Sequence, residues 1–356
     1  MKTELIIVSN EQYGYHIDSY KYCQYLKDKY DITYICFNKG LKEIPFDKIS
    51  VKYIPWKGSW IFRSCRFIIT VLKMILTMSS SGLVFIVYFN GFTIFKYLLP
   101  IRRYILDVRT LSVSKGKYKR LLEDYFLKLS IRFYRYKTCI SEGVVDKLGL
   151  KNDSGTYILP LGADILSDVE KDFSSMRLLY VGTLTGRNIL LTLKGFHRYW
   201  LSVKTVNLSY DIIGEGEEYD LLQDYIVQNN LSAIVRLHGY IHQSELKRFY
   251  DSCNIGISFV PITSYYDHQP STKTFEYILS GLYTIATATT ANKEVLTEKN
   301  GVLIADSEDA FFFALKKIEE IRFGFRSAAI RDTLISYKWS NIVRSKLEPI
   351  LNLAVK

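Results

Sequence analysis

The sequence predicts an α/β protein built from two doubly wound domains, and three observations lead to that prediction. The chain has 356 residues, of which 48% are hydrophobic, and this is enough to fill two cores of ordinary size. Short β-branched apolar runs alternate with amphipathic runs of helix length from end to end, as is typical of parallel sheets flanked by helices. The alternation stops once, in a polar stretch near residue 165, and then restarts.

Seven strand-like runs fill the first half of the chain: ELIIVS, ITYICF, VKYIP, LVFIVYF, YILDVR, TCIS and YILPLG. Between them, the clearest helices are predicted over residues 15–29, 60–78 and 117–137. The last of these has apolar residues at helical spacing, namely Leu122, Phe126, Leu129 and Phe133. These runs predict a first domain over residues 1–165.

The stretch ADILSDVEKDFSSM has no clear period and marks the predicted boundary. The runs RLLYVG, LSYDIIG, AIVRLHGY, IGISFVP, YTIAT and GVLIA then predict six more strands, with helices over residues 187–201, 219–229, 244–252 and 307–321. We assign residues 166–335 to the second domain. The tail YKWSNIVRSKLEPIL predicts a helix within residues 336–356 that crosses back to the first domain.

Basic residues are concentrated in the first domain. Residues 1–150 contain 25 lysines and arginines against 12 acidic residues, a net charge of +13, whereas the rest of the chain carries −2. A basic half favours contact with an anionic membrane, a phosphorylated substrate or nucleic acid, although a solvated basic surface needs no partner. No nucleic-acid-binding motif accompanies the charge, so nucleic acid is not expected.

The sequence does not indicate disulfides, a metal site, a membrane-spanning helix or a signal peptide. The five cysteines are scattered without CxxC pairs or nearby histidines, so we expect neither disulfides nor a metal site. No apolar run reaches the roughly 18 residues of a membrane-spanning helix, and LIIV near the start is too short for a signal-peptide core. We therefore expect a cytosolic protein.

Ligands of open parallel sheets bind at the carboxyl ends of strands, so the loops that follow strands are the places to search. Gly14 follows the first strand, where a glycine lets the backbone approach a phosphate, and Gly182 stands at a strand end in the second domain. Gly214 follows another strand in the loop GEGEE, whose acids are expected to repel phosphate, so this loop is predicted to border the cleft. Each is equally compatible with a plain turn. Arg187 stands at a predicted helix start, where its guanidinium can bind a diphosphate.

The stretch DHQPSTKTFEYIL carries the strongest local pattern. Ser271 is placed to cap a helix, and the first N–H groups of that helix, near Thr272 and Lys273, form an anion pocket. Glu276 lies one turn further on the same face, where its carboxylate can accept hydrogen bonds from ribose hydroxyls. The pattern indicates a site for a nucleoside diphosphate, although a capped helix with solvated charges would look similar.

Five segments of the second domain, taken in order, resemble the retaining glycosyltransferase family 4, also called group 1 glycosyltransferases, which have the GT-B fold. They are LLYVGTLTGRN, YDIIGEGEEYDLL, VRLHGYIHQSELKRFYDSCNIGISFVP, STKTFEYILSGLYTIAT and NGVLIA. A looser likeness extends to ILDVRTL, CISEGVVDKL, LPLGAD and YKWSNIV. The resemblance implies two Rossmann-like domains facing a central cleft, the first on the acceptor side and the second holding a nucleotide sugar.

The resemblance also implies roles for individual residues. Glu276 becomes the ribose-binding acid that closes the family's E-x7-E pattern, and Arg187 becomes a diphosphate ligand. Tyr240 is placed near the nucleobase, and Gly14 in the first-domain loop that approaches the donor.

The chain departs from the family pattern at three places. The opening Glu of E-x7-E is His268, which stays a candidate for contact with the sugar, and the basic residue that usually follows the Arg is Asn188. Lys273 is a candidate to replace that missing charge. The family's first-domain His has no obvious match, and ILDVRTL offers Asp107 and Arg109 as candidates for positioning the sugar or the acceptor.

The function implied by the resemblance is transfer of a sugar from a UDP- or GDP-linked donor to a glycan acceptor with retention of configuration, in bacterial surface polysaccharide biosynthesis such as capsule or lipopolysaccharide. The family generally has no protein nucleophile, and the absence of a DxD motif agrees with metal-independent transfer without a cofactor. Two alternatives stay open. One is a nucleotide-sugar epimerase of the same fold; the other is a non-catalytic partner subunit, which the departures at His268 and Asn188 favour.

A helix predicted over SWIFRSCRFIITVLKMILTM bears on the acceptor. Its polar residues form one narrow stripe at spacings of three and four, and nearly all its other residues are apolar. The pattern suits a membrane surface and a core helix with one exposed edge equally. Together with the basic first half and with Trp56 and Trp60, it favours docking on an anionic membrane, a lipid-linked acceptor and a peripheral position on the inner face of the cell membrane.

Overall fold

The computed structural model describes residues 2–112, 116–203, 207–263 and 266–355. The chain forms two compact units. The first contains Met1–Leu161 and Trp339–Lys356, and the second contains Gly162–Lys338. Each unit is built on one sheet in which the paired strands run parallel.

The first unit has a seven-stranded sheet in the order β3-β2-β1-β4-β5-β6-β7. The order reverses direction between β1 and β4, which is the switch point at which open sheets of this kind bind ligands. The strands are β1 (Thr3–Val8), β2 (Tyr30–Asn38), β3 (Ile49–Pro55), β4 (Leu83–Val87), β5 (Arg103–Val108), β6 (Tyr136–Cys139) and β7 (Thr156–Ile158).

Five helices connect these strands: α1 (Ile17–Leu26), α2 (Trp60–Thr77), α3 (Thr93–Leu98), α4 (Lys117–Ser130) and α5 (Glu142–Leu148). The helix predicted over residues 117–137 is shorter than expected, because a 3-10 turn (Ile131–Phe133) ends it and β6 begins at Tyr136.

The second unit repeats the architecture with six strands in the order β10-β9-β8-β11-β12-β13. The strands are β8 (Met176–Val181), β9 (Leu208–Ile213), β10 (Val235–Leu237), β11 (Ile255–Ser258), β12 (Tyr283–Thr287) and β13 (Gly301–Ile304). The helices are α6 (Ile189–Ser202), α7 (Tyr219–Gln228), α8 (Lys247–Ser252), α9 (Thr272–Leu279), α10 (Thr290–Lys293), α11 (Glu308–Ile321) and α12 (Ser327–Asp332). The prediction of two doubly wound α/β domains is confirmed.

The tail packs on the first unit. It consists of α13 (Trp339–Ile342), a π-helical turn (Val343–Leu347) and α14 (Glu348–Val355). Trp339 is buried, and its ring lies edge-on to that of Tyr22 with the centroids 6.0 Å apart. Lys29 on the first unit pairs with Glu348 at 2.5 Å.

Helix α2 is exposed over a broad face. It buries one stripe, Phe67, Val71 and Ile75, while Trp60 and Phe62 are 73% and 70% exposed. Ile61, Ile69 and Leu76 are exposed as well. The core-helix interpretation of α2 is therefore wrong, since its exposed face is apolar as well as polar.

The apolar stripe of α4 also lies outside the core. Leu122, Phe126, Leu129 and Phe133 are all exposed, and Leu127 is the one buried residue within the helix. Helical spacing showed that these residues share a face but did not show what that face contacts. None of the described helices is both long enough and apolar enough to cross a bilayer.

Candidate active site

The main candidate site lies at the start of α9 in the second unit. Ser271 occupies the N-cap position in an extended conformation, but its hydroxyl makes no capping hydrogen bond. The side-chain cap expected of Ser271 is therefore absent. Because the first N–H groups of a helix have no partner within it, those near Thr272 and Lys273 are open to an anionic ligand, and the helix dipole favours one.

Lys273 and Glu276 meet on one face of α9, as their spacing predicts. The Lys273 ammonium lies 2.5 Å from Glu276 Oε2, and the Tyr250 hydroxyl donates to the same oxygen at 3.0 Å. Burial raises the pKa of Tyr250 well above its usual value, and the nearby Glu276 charge adds to this, so the hydroxyl keeps its proton. Both contacts use Oε2 and leave Oε1 of Glu276 available for a ligand hydroxyl.

Helix α9 is fixed to the sheet by buried polar contacts. The Tyr277 hydroxyl accepts a hydrogen bond from the Val181 N–H, at the carboxyl end of β8, at 2.8 Å. Thr274 shares a 2.7 Å hydrogen bond with Ser258 at the end of β11 and donates to Asn292. These contacts hold the start of α9 at the carboxyl ends of β8 and β11, which is where the sequence predicts a ligand site.

Arg187 reaches the segment that leads into α9. Its guanidinium lies over the ring of Tyr266, 4.5 Å from the centroid, in a cation–π contact. The contact brings the loop after β8 against the residues that precede Ser271. Arg187 and the α9 start, two candidates for phosphate binding, are thereby linked through one aromatic ring.

Glu218 has a role that the sequence interpretation missed. Its Oε1 accepts hydrogen bonds from the N–H groups of Arg187 and Asn188, at 3.1 and 2.7 Å. The acids of the GEGEE loop were expected to repel phosphate. Glu218 instead binds the N–H groups of the two residues that precede α6, and it thereby holds the turn that carries the Arg187 side chain.

The glycines after β8 and β9 pack against each other. Gly214 has φ +150, and a Cβ built on it would lie 1.8 Å from the carbonyl oxygen of Gly182. The Gly214 N–H also donates to the Gly239 carbonyl at 2.8 Å. Glycine is thus required at Gly214 by backbone packing alone. Tyr240, next to Gly239, is 68% exposed.

His268 lies in the turn before α9 and is partly buried. Its Nε2 is 3.5 Å from Asp267 Oδ2. Asp267 in turn accepts from the Thr290 N–H and hydroxyl at 2.8 and 2.7 Å, which ties this turn to α10. Asp267 and Thr290 therefore position the segment that carries His268.

In the first unit, Gly14 has φ +91, and a Cβ there would lie 2.2 Å from Ile44 Cδ1. His16 follows as the N-cap of α1, where its Nδ1 accepts from the Ser19 N–H. Burial lowers the pKa of His16, which favours the neutral ring. The glycine is required locally by the turn and by the packing of Ile44.

Asp107 and Arg109 are buried in a polar cluster below the end of β5. Arg109 donates to Asp18 Oδ2 at 2.5 Å and to the Leu159 carbonyl at 2.6 Å, and Asp107 accepts from the Thr138 hydroxyl at 2.7 Å. Burial raises the pKa of Asp107 to about 6. Asp107 is fully inaccessible, so in this structure its carboxyl holds the fold and does not reach a ligand.

Two side chains of the candidate site, Tyr250 and Tyr266, were not singled out from the sequence, and the contact of Glu218 with the turn before α6 was not predicted. Tyr250 is on α8, and its distance along the chain from Glu276 gives no signal that they meet. Tyr266 could have been noticed, because it directly precedes the motif DHQPSTK.

Comparison with known protein families finds a match in the second unit. Residues 175–320 match the sequence model of a family described as glycosyl transferases group 1. The match lies within the second unit and covers less than half of the chain. No curated protein matches the chain closely enough to be counted as a relative.

Solved structures establish the fold of the whole chain. Sucrose-phosphate synthase from Thermosynechococcus elongatus superposes with a TM-score of 0.75 at 14% identity, covering 99% of each chain. HepE from Anabaena in complex with UDP-glucose gives 0.72 at 12% identity over 98% of this chain and 99% of that one. The lipopolysaccharide outer core galactosyltransferase WaaB gives 0.71 at 14% identity over 100% and 99%. The chain has the GT-B fold of glycosyltransferases.

Proposed function

We propose that this protein transfers a sugar from a UDP- or GDP-linked donor to a glycan acceptor with retention of anomeric configuration and without a metal ion. The observation that carries the proposal is the cluster at the start of α9. A cation, a carboxylate with one free oxygen and a helix N-terminus lie together there, and Arg187 is held against the adjoining segment.

Each part of this cluster has a task in glycosyl transfer. As the sugar leaves, negative charge develops on the diphosphate, and Arg187, Lys273 and the N–H groups of α9 stabilise it electrostatically. Glu276 accepts hydrogen bonds from the ribose, with Tyr250 holding its second oxygen in place. Tyr240 is exposed beside these loops and is proposed to contact the base. Ser271, Gly182, Gly214 and Gly14 complete the proposed donor set, and His268 is proposed to contact the sugar.

Asp107 and Arg109 are proposed to act indirectly. Arg109 joins the start of α1, through Asp18, to the segment after β7, through the Leu159 carbonyl. This cluster would fix the loop that carries Gly14 and His16. We assign both residues a positioning role.

The acceptor is proposed to be a lipid-linked glycan used in a bacterial surface polysaccharide, such as capsule or lipopolysaccharide, at the inner face of the cell membrane. The exposed apolar face of α2 and the basic first half support a membrane position. One of the similar structures is a lipopolysaccharide galactosyltransferase, and another binds UDP-glucose. These relatives support a nucleotide-sugar donor.

A thermal-shift panel of nucleoside diphosphates and nucleotide sugars tests the donor site. We expect one nucleotide sugar to raise the melting temperature more than all others, because at equal concentration the ligand that binds most tightly stabilises the folded protein most. Glu276→Ala should lose that shift, and Tyr250→Phe should weaken it by leaving the carboxylate less well positioned. Glu245→Ala, which removes an exposed acid on the same unit, is the matched control.

Turnover of the identified donor separates an enzyme from a partner subunit. Release of nucleoside diphosphate in the presence of acceptor, with NMR assignment of the product anomer, is the expected result. If no nucleotide sugar stabilises the wild type, the donor site is absent, and a non-catalytic subunit becomes the better description.

A further inference from the structure

An apolar groove of about 580 Å³ lies on the first unit where α2, α3 and the turn after α4 meet. Its lining includes Ile68 on α2, Ile94 and Tyr97 on α3, and Phe133 on the turn. The volume is in the range of ligand sites, roughly 300–1,000 Å³. The nucleotide-sugar site does not use any of these residues.

Exposed apolar side chains surround the groove. Ile101 is 95% exposed, Tyr97 82% and Phe133 66%, and Ile69, next to the lining residue Ile68 on α2, is 52% exposed. Three separate chain segments thus contribute both a lining residue and further exposed apolar residues. An apolar surface of this extent, rimmed by charges, marks an interaction site rather than ordinary solvent-facing surface.

The charge around the groove indicates an anionic partner. Residues 48–106 contain nine lysines and arginines and no aspartate or glutamate. Lys96 lines the groove and donates to the Pro100 carbonyl at 2.7 Å, and no described carboxylate lies within ion-pair distance of it. Burial lowers the pKa of Lys96, which an anionic partner would offset. A second copy of this chain would bring the same cations close to each other, and the two copies would repel.

We propose that the groove binds one hydrocarbon chain of an anionic membrane lipid, with Lys96 facing the headgroup. The inference deepens the proposed function, because a lipid surface is where a lipid-linked acceptor is found. It requires no donor and can be tested separately. The groove adds a specific hydrocarbon-chain site to the general attraction of a basic surface for anionic lipid.

Vesicle binding tests the lipid surface. We expect the protein to bind phosphatidylglycerol vesicles, with weaker binding as salt rises, and to bind phosphatidylcholine vesicles poorly. Bromine on the acyl chains should quench the fluorescence of Trp60, which is exposed at the start of α2. Phe133→Ser should lower affinity roughly tenfold or more, since a buried aromatic contact is lost. Phe323→Ser, at the same 66% exposure in the second unit, should bind as the wild type does.

Calorimetry with monomeric dodecyl phosphate tests the groove itself, with inorganic phosphate as the headgroup-only probe. Binding of the amphiphile that is lost in Phe133→Ser and weakened in Lys96→Gln supports the proposal. Both variants must keep the melting temperature of the wild type. Equal binding of the amphiphile by the wild type and Phe133→Ser would overturn the assignment of the groove. Dimers detected by light scattering and dissolved by Phe133→Ser would also overturn it, in favour of a second copy.

The two proposals fail in different ways. Glu276→Ala should keep full vesicle binding, because the groove and the donor site share no residue. If no nucleotide sugar raises the melting temperature of the wild type while its vesicle binding is intact, the donor site alone is rejected. The reverse result, donor binding and turnover without vesicle binding, would reject the groove alone.

Discussion

Glu276 is held by two partners that differ in strength. The Lys273 pair is partly exposed, with side chains 29% and 12% accessible, and an i,i+3 pair of this kind contributes only about 0.2–0.5 kcal/mol. The Tyr250 hydrogen bond comes from a fully buried residue. A ligand phosphate can therefore draw Lys273 away at little cost, while Tyr250 keeps the carboxylate in place.

Asp107 is expected to make the stability of the protein depend on pH. Its pKa of about 6 in the folded protein exceeds the ordinary value of 3.8, because burial disfavours its charged form. The folded protein holds this proton more tightly than the unfolded chain does. The stabilisation is complete below pH 3.8 and is lost as the pH rises through about 6.

The measurement is the free energy of unfolding against pH for the wild type and Asp107→Asn, which cannot ionise. We expect the difference between the two curves to change by roughly 2 kcal/mol between pH 4 and 7, because the pKa of Asp107 is about 6 in the folded protein and 3.8 ordinarily. Parallel curves would show that Asp107 does not titrate in this range. Thr138→Ser, which keeps the hydrogen bond to Asp107, is the control.

At the scale of elements, the loops after β8, β9 and β10 form one packed layer. Gly182, Gly214 and Gly239 bring these loops together through backbone hydrogen bonds, and Arg187 and Tyr240 extend from the same loops. The layer is rigid because no side chain separates the strands at this point. Arg187 and Tyr240 are therefore carried by loops whose backbones are held by hydrogen bonds.

Gly214→Ala should destabilise the second unit by at least about 2 kcal/mol, because the new Cβ would overlap the Gly182 carbonyl oxygen. Gly186→Ala has positive φ as well, at +65, but nothing lies within 4 Å of its Cβ. The control therefore isolates the cost of backbone strain from the cost of the overlap. Chemical denaturation of both variants measures the difference, and equal losses would contradict the overlap argument.

At the scale of the whole molecule, the basic charge and the apolar groove both belong to the first unit. The second unit and the tail together carry little net charge. We therefore expect substitutions in one unit to change membrane binding and substitutions in the other to change nucleotide binding. The vesicle-binding and thermal-shift experiments measure these two properties separately.

The tail is structurally part of the first unit although it ends the sequence. Trp339→Ala should lower the stability of that unit by about 3–5 kcal/mol, since a fully buried indole packed on Tyr22 is removed. Leu353→Ala on the same tail should cost far less, because Leu353 is 43% exposed. Differential scanning calorimetry measures both, and equal effects would show that the tail is not docked through Trp339.

The sequence by itself determined the fold class and most of the strands, because period and run length are local properties of the chain. It also brought Lys273 and Glu276 together, since helical spacing alone places them on one face. It did not reveal Tyr250, Tyr266 or Glu218, whose contacts join residues far apart in sequence or in different loops. Nor did it decide whether the apolar stripes of α2 and α4 face the core or solvent. Periodicity defines a face, but what covers that face depends on how distant elements pack, and only the tertiary structure decided this.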